Sequence, residues 1–506
     1  MGKQQHRPLF FVVTSIVNIE YICDPMPAFR TLAIIFFTLI MSSSCRKQDD
    51  FLSDKGATLD FSEKLVLFDT VFVTVGSTTK QLKVYNRNSK PVKIQSLRLA
   101  SGNASAYRLN VNGLSGKVFS NIEIKDKDSL YIFIEVTVPD PQSPNTPFVL
   151  ADSIVFTLNG QQQDVDLVAW GQRANFIFPT DTISGLPPYS VVSCNAVWDS
   201  LLPYVIYGYA VVDSCTLTIS EGTKVHFYNN SGLWVYPGGT LHVEGTKEHP
   251  VQFLGTRLDP LYADIPGQWD RIWINEGSID NRIDYAIIKN GFIGIQTEEL
   301  LTPLQNTPRK LYLSNTIIKN MSGFGLFSRN YIIDSYNTVI GNCGLGGAAL
   351  TAGGDYLFRH CTFANYWSYN QRPFPSVYIN NYSSDQNGNT VPSNLVNATF
   401  GNCIVYGNKE SELSLEFTSS AQSNYVFDHT LIKVDNNFNT ATPQFINILK
   451  NKNPRFVNYS NNIFELDTLS PAKDFGTNTY ATGNALFDLK GIMRNLPDLG
   501  AFERVE

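Results

Sequence analysis

Charge is scarce in this 506-residue chain: Asp, Glu, Lys and Arg make up 17% of it, and the formal balance is −6 with no basic cluster. A nucleic-acid surface needs phosphate-neutralising Lys and Arg, so that class of partner is argued against. Cysteine is also sparse, with seven residues and no Cys-x-x-Cys pair, which argues against a structural zinc site. One eleven-residue stretch apart, Thr31 to Met41, no long apolar run occurs. A membrane-spanning helix needs about 20 such residues. Amphipathic helical periodicity is missing too. What is present is a succession of short apolar runs interrupted by Asn, Gly, Ser and Thr, with 12% aromatic residues. That is the texture of many short strands joined by turns, and the length calls for at least two folded units.

The Thr31–Met41 run follows Arg30 and precedes Ser42, Ser43, Ser44 and Cys45. It has the length and flanks of a signal-peptide core. The run into Cys45 resembles a bacterial lipobox, although Ser42 stands where the usual Leu would be. Arg46-Lys47-Gln48-Asp49-Asp50 is similar to the acidic export tag of Bacteroidetes surface lipoproteins. The resemblance implies lipidation at Cys45 and anchoring in the outer membrane, facing the cell surface. A plain signal peptide with an ordinary cysteine is the other reading, and either one takes the protein out of the cytoplasm. Met26 would start a leader of normal length.

From residue 56 to 173, past a linker over 46–55, alternating strands are expected around Thr70–Val75, Gln81–Tyr85, Val92–Leu99, Leu130–Val138, Ile154–Leu158 and Val165–Ala169. Asn159-Gly160 is a two-residue hairpin signal between the last two. The pattern suits an immunoglobulin-like β-sandwich, and it resembles the Ig-like modules of bacterial surface proteins. No catalytic residue types gather in it, so it reads as a spacer.

The remainder, 174–506, repeats. Tyr285-Ala-Ile-Ile-Lys-Asn290, Asn315-Thr-Ile-Ile-Lys-Asn320 and Asn337-Thr-Val-Ile-Gly-Asn342 share one pattern. His360-Cys-Thr-Phe-Ala-Asn365, Asn402-Cys-Ile-Val-Tyr-Gly-Asn408 and His429-Thr-Leu-Ile-Lys-Val434 vary it. Starts at 285, 315, 337, 360, 402 and 429 give steps of 30, 22, 23, 42 and 27 residues. Periods in this range mark solenoids. The aliphatic positions would fill a dry interior once per coil, and the Asn would sit at turns, where it tolerates a left-handed backbone. A right-handed parallel β-helix of about a dozen coils, some 60 Å long, is expected at ~23 residues and ~4.8 Å per coil.

Gly267-Gln268-Trp269, Asp284–Asn290 and the ending Ser470-Pro471-Ala472, Asp488, Gly491, Arg494, Asp498-Leu499-Gly500-Ala501-Phe502-Glu503 resemble right-handed β-helix lipoproteins of Bacteroidetes. There the ending forms the final coil and C-terminal cap. The resemblance speaks for fold and not for activity, because this fold carries lyases, hydrolases, adhesins and inert rods. The Asn-Thr-Asp, Asp-Asp, Gly-His-Gly and Arg-Ile-Lys signatures of polygalacturonases are absent, as are the pectate-lyase motifs.

Catalytic candidates reduce to Arg359 and His360, the only adjacent basic pair on a coil, but His360 aligns with Asn315, Asn337 and His429 and reads first as a turn or ladder residue. Asp264, Trp269, Asp270 and Arg271 make a polar-aromatic patch that could meet sugar, though the favoured reading is a structural one, since such aromatics also cap solenoid ends. The insertion Tyr366 to Val396 projects from one coil, with Tyr366, Trp367 and Tyr378 as further glycan contacts. Glu298 and Glu299 read as solvated. Cys194 and Cys215 are a candidate disulfide, and Cys361 and Cys403 read as small buried hydrophobes. Scattered Asp and Asn in turns are donors that calcium accepts, but no tandem G-G-x-G-x-D array occurs. No other cofactor and no metal site is expected.

The expectation is therefore a surface lipoprotein presenting a β-helix for adhesion or polysaccharide binding. A polysaccharide lyase or glycoside hydrolase with a divergent site and a purely structural envelope protein are the alternatives.

Overall fold

The computed structural model describes residues 50–140, 148–299 and 310–505. Cys45 and its leader lie outside the described residues. The chain is all-β: a β-sandwich followed by a right-handed parallel β-helix.

Strict alternation builds the sandwich. In Ser129–Val136, Leu130, Ile132, Ile134 and Val136 point inward while the residues between them face solvent. Strands of this kind form two five-stranded sheets. Their inner faces share one core that includes Leu82, Ile94, Ile132, Phe156 and Leu167. Asn159 (φ 51°) and Gly160 (φ 82°) are both left-handed, and they close the hairpin between Phe148–Leu158 and Gln161–Gln172. The sandwich meets the β-helix through an ion pair, Lys80 to Asp259 at 3.4 Å, and through Phe72 edge-on to His226 at 5.1 Å. The Cys194–Cys215 disulfide ties the first coils together.

In the β-helix each coil gives one strand to a nine-stranded sheet and two to a 19-stranded sheet, all in parallel register. In the repeats the two strands of the larger sheet meet at a corner that holds one left-handed residue, and at His429 that corner falls within a single strand, Val426–Ile432. Tyr285 (φ 45°), Asn315 (46°), Asn337 (51°), His360 (51°), Asn402 (53°) and His429 (46°) take this corner in successive coils. These are the positions at which the repeat begins. Asn and His accept the conformation because a short polar side chain repays it with local bonds. Here the ladder supplies them: Asn337 Nδ2 donates to Asn315 Oδ1 at 2.9 Å, and Asn315 Nδ2 donates to Asp284 Oδ1 at 2.8 Å.

Past the corner, the two consecutive aliphatic residues of the repeat must face opposite ways, because strand side chains alternate. Ile318, Ile340, Phe363, Val405 and Ile432 line the interior in register. Ile317, Val339, Thr362, Ile404 and Leu431 face outward. Val339, Thr362, Ile404 and Leu431 are buried all the same and Ile317 is half-buried, because the C-terminal segment lies over them. Phe456, Phe464, Leu466, Ala472, Leu499, Ala501 and Phe502 pack on this outer face as a separate apolar cluster.

That segment differs from the expected final coil and cap. It runs along the flank as a strap, bonding to several coils in turn. Ala501 N donates to Thr362 Oγ1, Gly500 N to Asn402 O, and Asn337 Nδ2 to Phe487 O. Its buried Arg494 donates to Glu503 Oε2 at 2.8 Å and to Asn337 Oδ1 at 3.1 Å. Some 50 residues turn aside in this way, and among the described residues the smaller sheet has nine strands while one column of the larger sheet runs through eleven, from Asn175–Ile177 to Phe445–Lys450. Ten steps of ~4.8 Å between those eleven layers give a stack of ~48 Å, against the expected 60 Å.

Candidate functional site

A cleft of about 460 Å³ opens where four segments converge. The loop before the strand Ile272–Ile274 brings Asp264. The far corners of two coils bring Asn320 (φ 55°) and Asn342 (φ 50°). The insertion after Thr362–Asn365 brings Tyr366, Trp367 and Tyr369, and the strap brings Tyr459, Asn461 and Asn462. The left-handed corners turn Asn320 and Asn342 toward these segments. Asn320 Nδ2 donates to Asp264 Oδ1 at 3.1 Å, and Asn342 Nδ2 to Asn462 Oδ1 at 2.6 Å. Asn342 Oδ1 accepts from Tyr366 N at 2.8 Å and fixes the start of the insertion.

Aromatic rings form the other lining. Tyr366 stacks on Tyr459 with centroids 4.2 Å apart, and Trp367 lies 4.8 Å from Tyr369. Tyr369 is 63% exposed and Tyr459 47%, so both offer ring faces to a ligand. Burial pushes the Tyr366 phenol above its usual range, with Tyr406 and Tyr459 adding to the effect, so it stays neutral. Among the described residues, Asp264 is the one charged residue of the lining. The arrangement offers flat apolar rings beside a ring of amide donors and acceptors. It suits a neutral ligand with both apolar and hydroxyl edges.

Of the four glycan candidates, Tyr366 and Trp367 meet in this cleft. Tyr378 lies on another side, on the outer face of the smaller sheet, where its hydroxyl donates to Glu416 Oε2 at 2.8 Å. Trp269 is a correction: it is 1% exposed, stacks on Phe227 at 4.5 Å inside the β-helix core, and donates from Nε1 to Lys289 O. It has no face left for sugar. Its sequence neighbours Asp270 and Arg271 pair with each other at 2.9 Å.

Arg359 and His360 are neighbours whose side chains enter different surroundings. His360 is fully buried in the ladder, with Nε2 at 3.1 Å from Asn402 Nδ2. Burial, with Arg494 nearby, holds its imidazole well below the usual histidine range. It cannot reach a substrate. Arg359 lies on a second cleft, paired with Asp334 at 2.8 Å. Glu298 and Glu299 are not solvated as expected. Glu298 accepts from Trp273 Nε1 at 2.8 Å and Glu299 pairs with Lys310, both in buried surroundings. Cys361 and Cys403 are buried. Tyr369, Tyr459 and Asn462 were missed: Tyr459 and Asn462 stand more than ninety residues after Tyr366, well past the insertion, and no local pattern connects the two.

No family model matches the chain, and no curated protein matches it. Among solved structures it is similar to the catalytic domain of a GH87 alpha-1,3-glucanase in complex with tetrasaccharides. The identity is 11%, over 73% of this chain and 91% of that one, with a TM-score of 0.21. The same kind of domain with nigerose gives 11%, 74%, 88% and 0.20. The E. coli chaperone DraB gives 12% over 23% of this chain and 55% of that one, with a TM-score of 0.17. Likeness this slight carries no argument about what the chain does.

Proposed function

We propose that the protein is a lipid-anchored surface protein of the bacterial outer membrane that binds polysaccharide in the Tyr366–Tyr459 cleft without cleaving it. The observation that carries the binding reading is the pair of exposed tyrosines, Tyr369 and Tyr459, over a floor of asparagine side chains. Tyrosine presents large contact area at low conformational cost, and its ring faces suit the apolar faces of sugars. The anchor rests on the sequence around Cys45, and the β-sandwich on that reading is a spacer that holds the cleft away from the membrane.

Retention on immobilised neutral and acidic polysaccharides tests this, with reducing ends and unsaturated products followed in parallel. Wild type is retained by at least one polymer and releases no product. Replacing Tyr369 and Tyr459 together with Ala weakens retention about tenfold or more, since each aromatic contact contributes ~0.5–1.5 kcal/mol. Both residues are exposed, so the fold survives the change. Product from any polymer would make the chain a depolymerising enzyme instead. Metabolic labelling with a palmitate analogue, lost in Cys45→Ala, tests the anchor.

A further inference from the structure

A second cleft of about 550 Å³ lies on the other edge of the strap, over the outer face of the strands that precede the ladder corner. Its wall is a register product. Arg282, Tyr312 and Asp334 stand in one column of successive coils, and Asp284, Ser314, Tyr336 and Arg359 in the next outward column. The strap residues 482–485 form the opposite wall.

Each guanidinium here is already neutralised. Arg359 Nη2 donates to Asp334 Oδ1 at 2.8 Å, and Arg282 donates from Nε and Nη2 to Asp280 Oδ1 at 3.1 and 3.0 Å. With each positive charge balanced by a carboxylate, a uronate or phosphate gains little net attraction here, so an anionic ligand is not favoured. The carboxylates are similarly engaged, since Asp284 Oδ1 accepts from Ser314 Oγ at 2.7 Å and from Asn315 Nδ2 at 2.8 Å. Asp284 and Asp334 stand two coils and two residues apart, a Cα separation of ~12 Å from strand geometry. Each is held by a structural donor. Arg359 lies 5.5 Å from the Tyr336 ring and Arg282 5.9 Å from the Tyr312 ring, which steadies both tyrosines on the wall. Tyr312 is 39% exposed. What remains on offer is two tyrosines one coil apart, hydroxyls, and the free edges of charge-balanced groups.

We infer that this cleft is a second saccharide site, selective for neutral glycan, so that one polymer chain or two are gripped on both sides of the strap. The inference rests on the proposed glycan-binding function, but it concerns different residues.

The purified protein is titrated in affinity gels with dextran, laminarin and galactomannan as neutral probes and polygalacturonate as the acidic one. Three variants run beside it: Tyr312→Ala with Tyr336→Ala, the exposed single change Arg282→Gln, and Tyr369→Ala with Tyr459→Ala. Thermal melting confirms that each is folded, and Arg282→Gln is the reading should the tyrosine pair fail to fold. The expected result is a neutral probe whose retention falls roughly tenfold in the Tyr312/Tyr336 pair and severalfold in Arg282→Gln. Retention lost with Tyr369/Tyr459 but unchanged in both second-cleft variants overturns this inference and leaves the first cleft standing. Tighter retention of polygalacturonate than of any neutral probe overturns the ligand class. No retention of any probe by wild type overturns both readings.

Discussion

Single residues at the ladder corner set the backbone path of the β-helix. Asn337 illustrates the demand: it is left-handed, fully buried, and bonded to Asn315, Phe487 and Arg494. Asn337→Ala adds the left-handed penalty of ~1–2 kcal/mol to the loss of buried bonds, so denaturant unfolding is expected to show ~2–4 kcal/mol of destabilisation. Asn337→Gly keeps the backbone conformation and loses only the bonds, so it should be milder by ~1 kcal/mol. Equal loss in the two would show that the conformation does not matter there. His226 makes a different residue-scale point. Burial pushes its imidazole down to about 4, and its Nδ1 donates to Gly255 O at 2.9 Å. A histidine depressed in the folded state contributes stability fully above the unfolded value of ~6.5 and loses it as pH falls toward 4. Up to ~3 kcal/mol is at stake over that window. His226→Phe should flatten the fall of melting temperature between pH 6.5 and 4, and a slope equal to wild type would rule the residue out as its source.

Two elements carry the fold beyond the coil repeat. One is the inward column Phe358, Phe400, Phe427 and Phe445, stacked at 5.0, 4.6 and 5.4 Å between consecutive rings. Phe400→Ala opens a cavity in its middle and is expected to cost ~3–5 kcal/mol by denaturant titration. The other is the strap. The segment's recurring polar residues are used within it: Ser470 Oγ donates to Pro454 O, Asp488 Oδ2 accepts from Glu503 N, and Arg494 joins Glu503 to the ladder. Arg494→Ala leaves Glu503 and Asn337 without their partner, and limited proteolysis should then cut within 454–505 at least tenfold faster than in wild type. Because the strap walls both clefts, that variant is also expected to lose polysaccharide retention. Unchanged cleavage would mean that the apolar cluster under the strap suffices to hold it.

At the scale of the whole molecule, the repeat made the coil legible in the sequence. A motif beginning with Asn or His and followed by two aliphatic residues demands a left-handed corner and then a strand, and the larger sheet repeats that answer in coil after coil. The hairpin at Asn159-Gly160 was legible for the same reason, since both residues accept a backbone that others resist. Tyr366 and Trp367 were found because an aromatic insertion stands out against its coil. The rest was decided by contacts between distant segments. Trp269 looked like a sugar platform beside charged neighbours, yet the coil path carries it into the core. Glu298 and Glu299 looked solvated, and their partners Trp273 and Lys310 come from other turns. Periodicity and backbone conformation are local, short-range properties, so the sequence by itself determined the solenoid. Both clefts form between the coils and a strap that returns about a hundred residues later, and only tertiary packing, driven by the outward aliphatic residues that needed cover, decided where they lie.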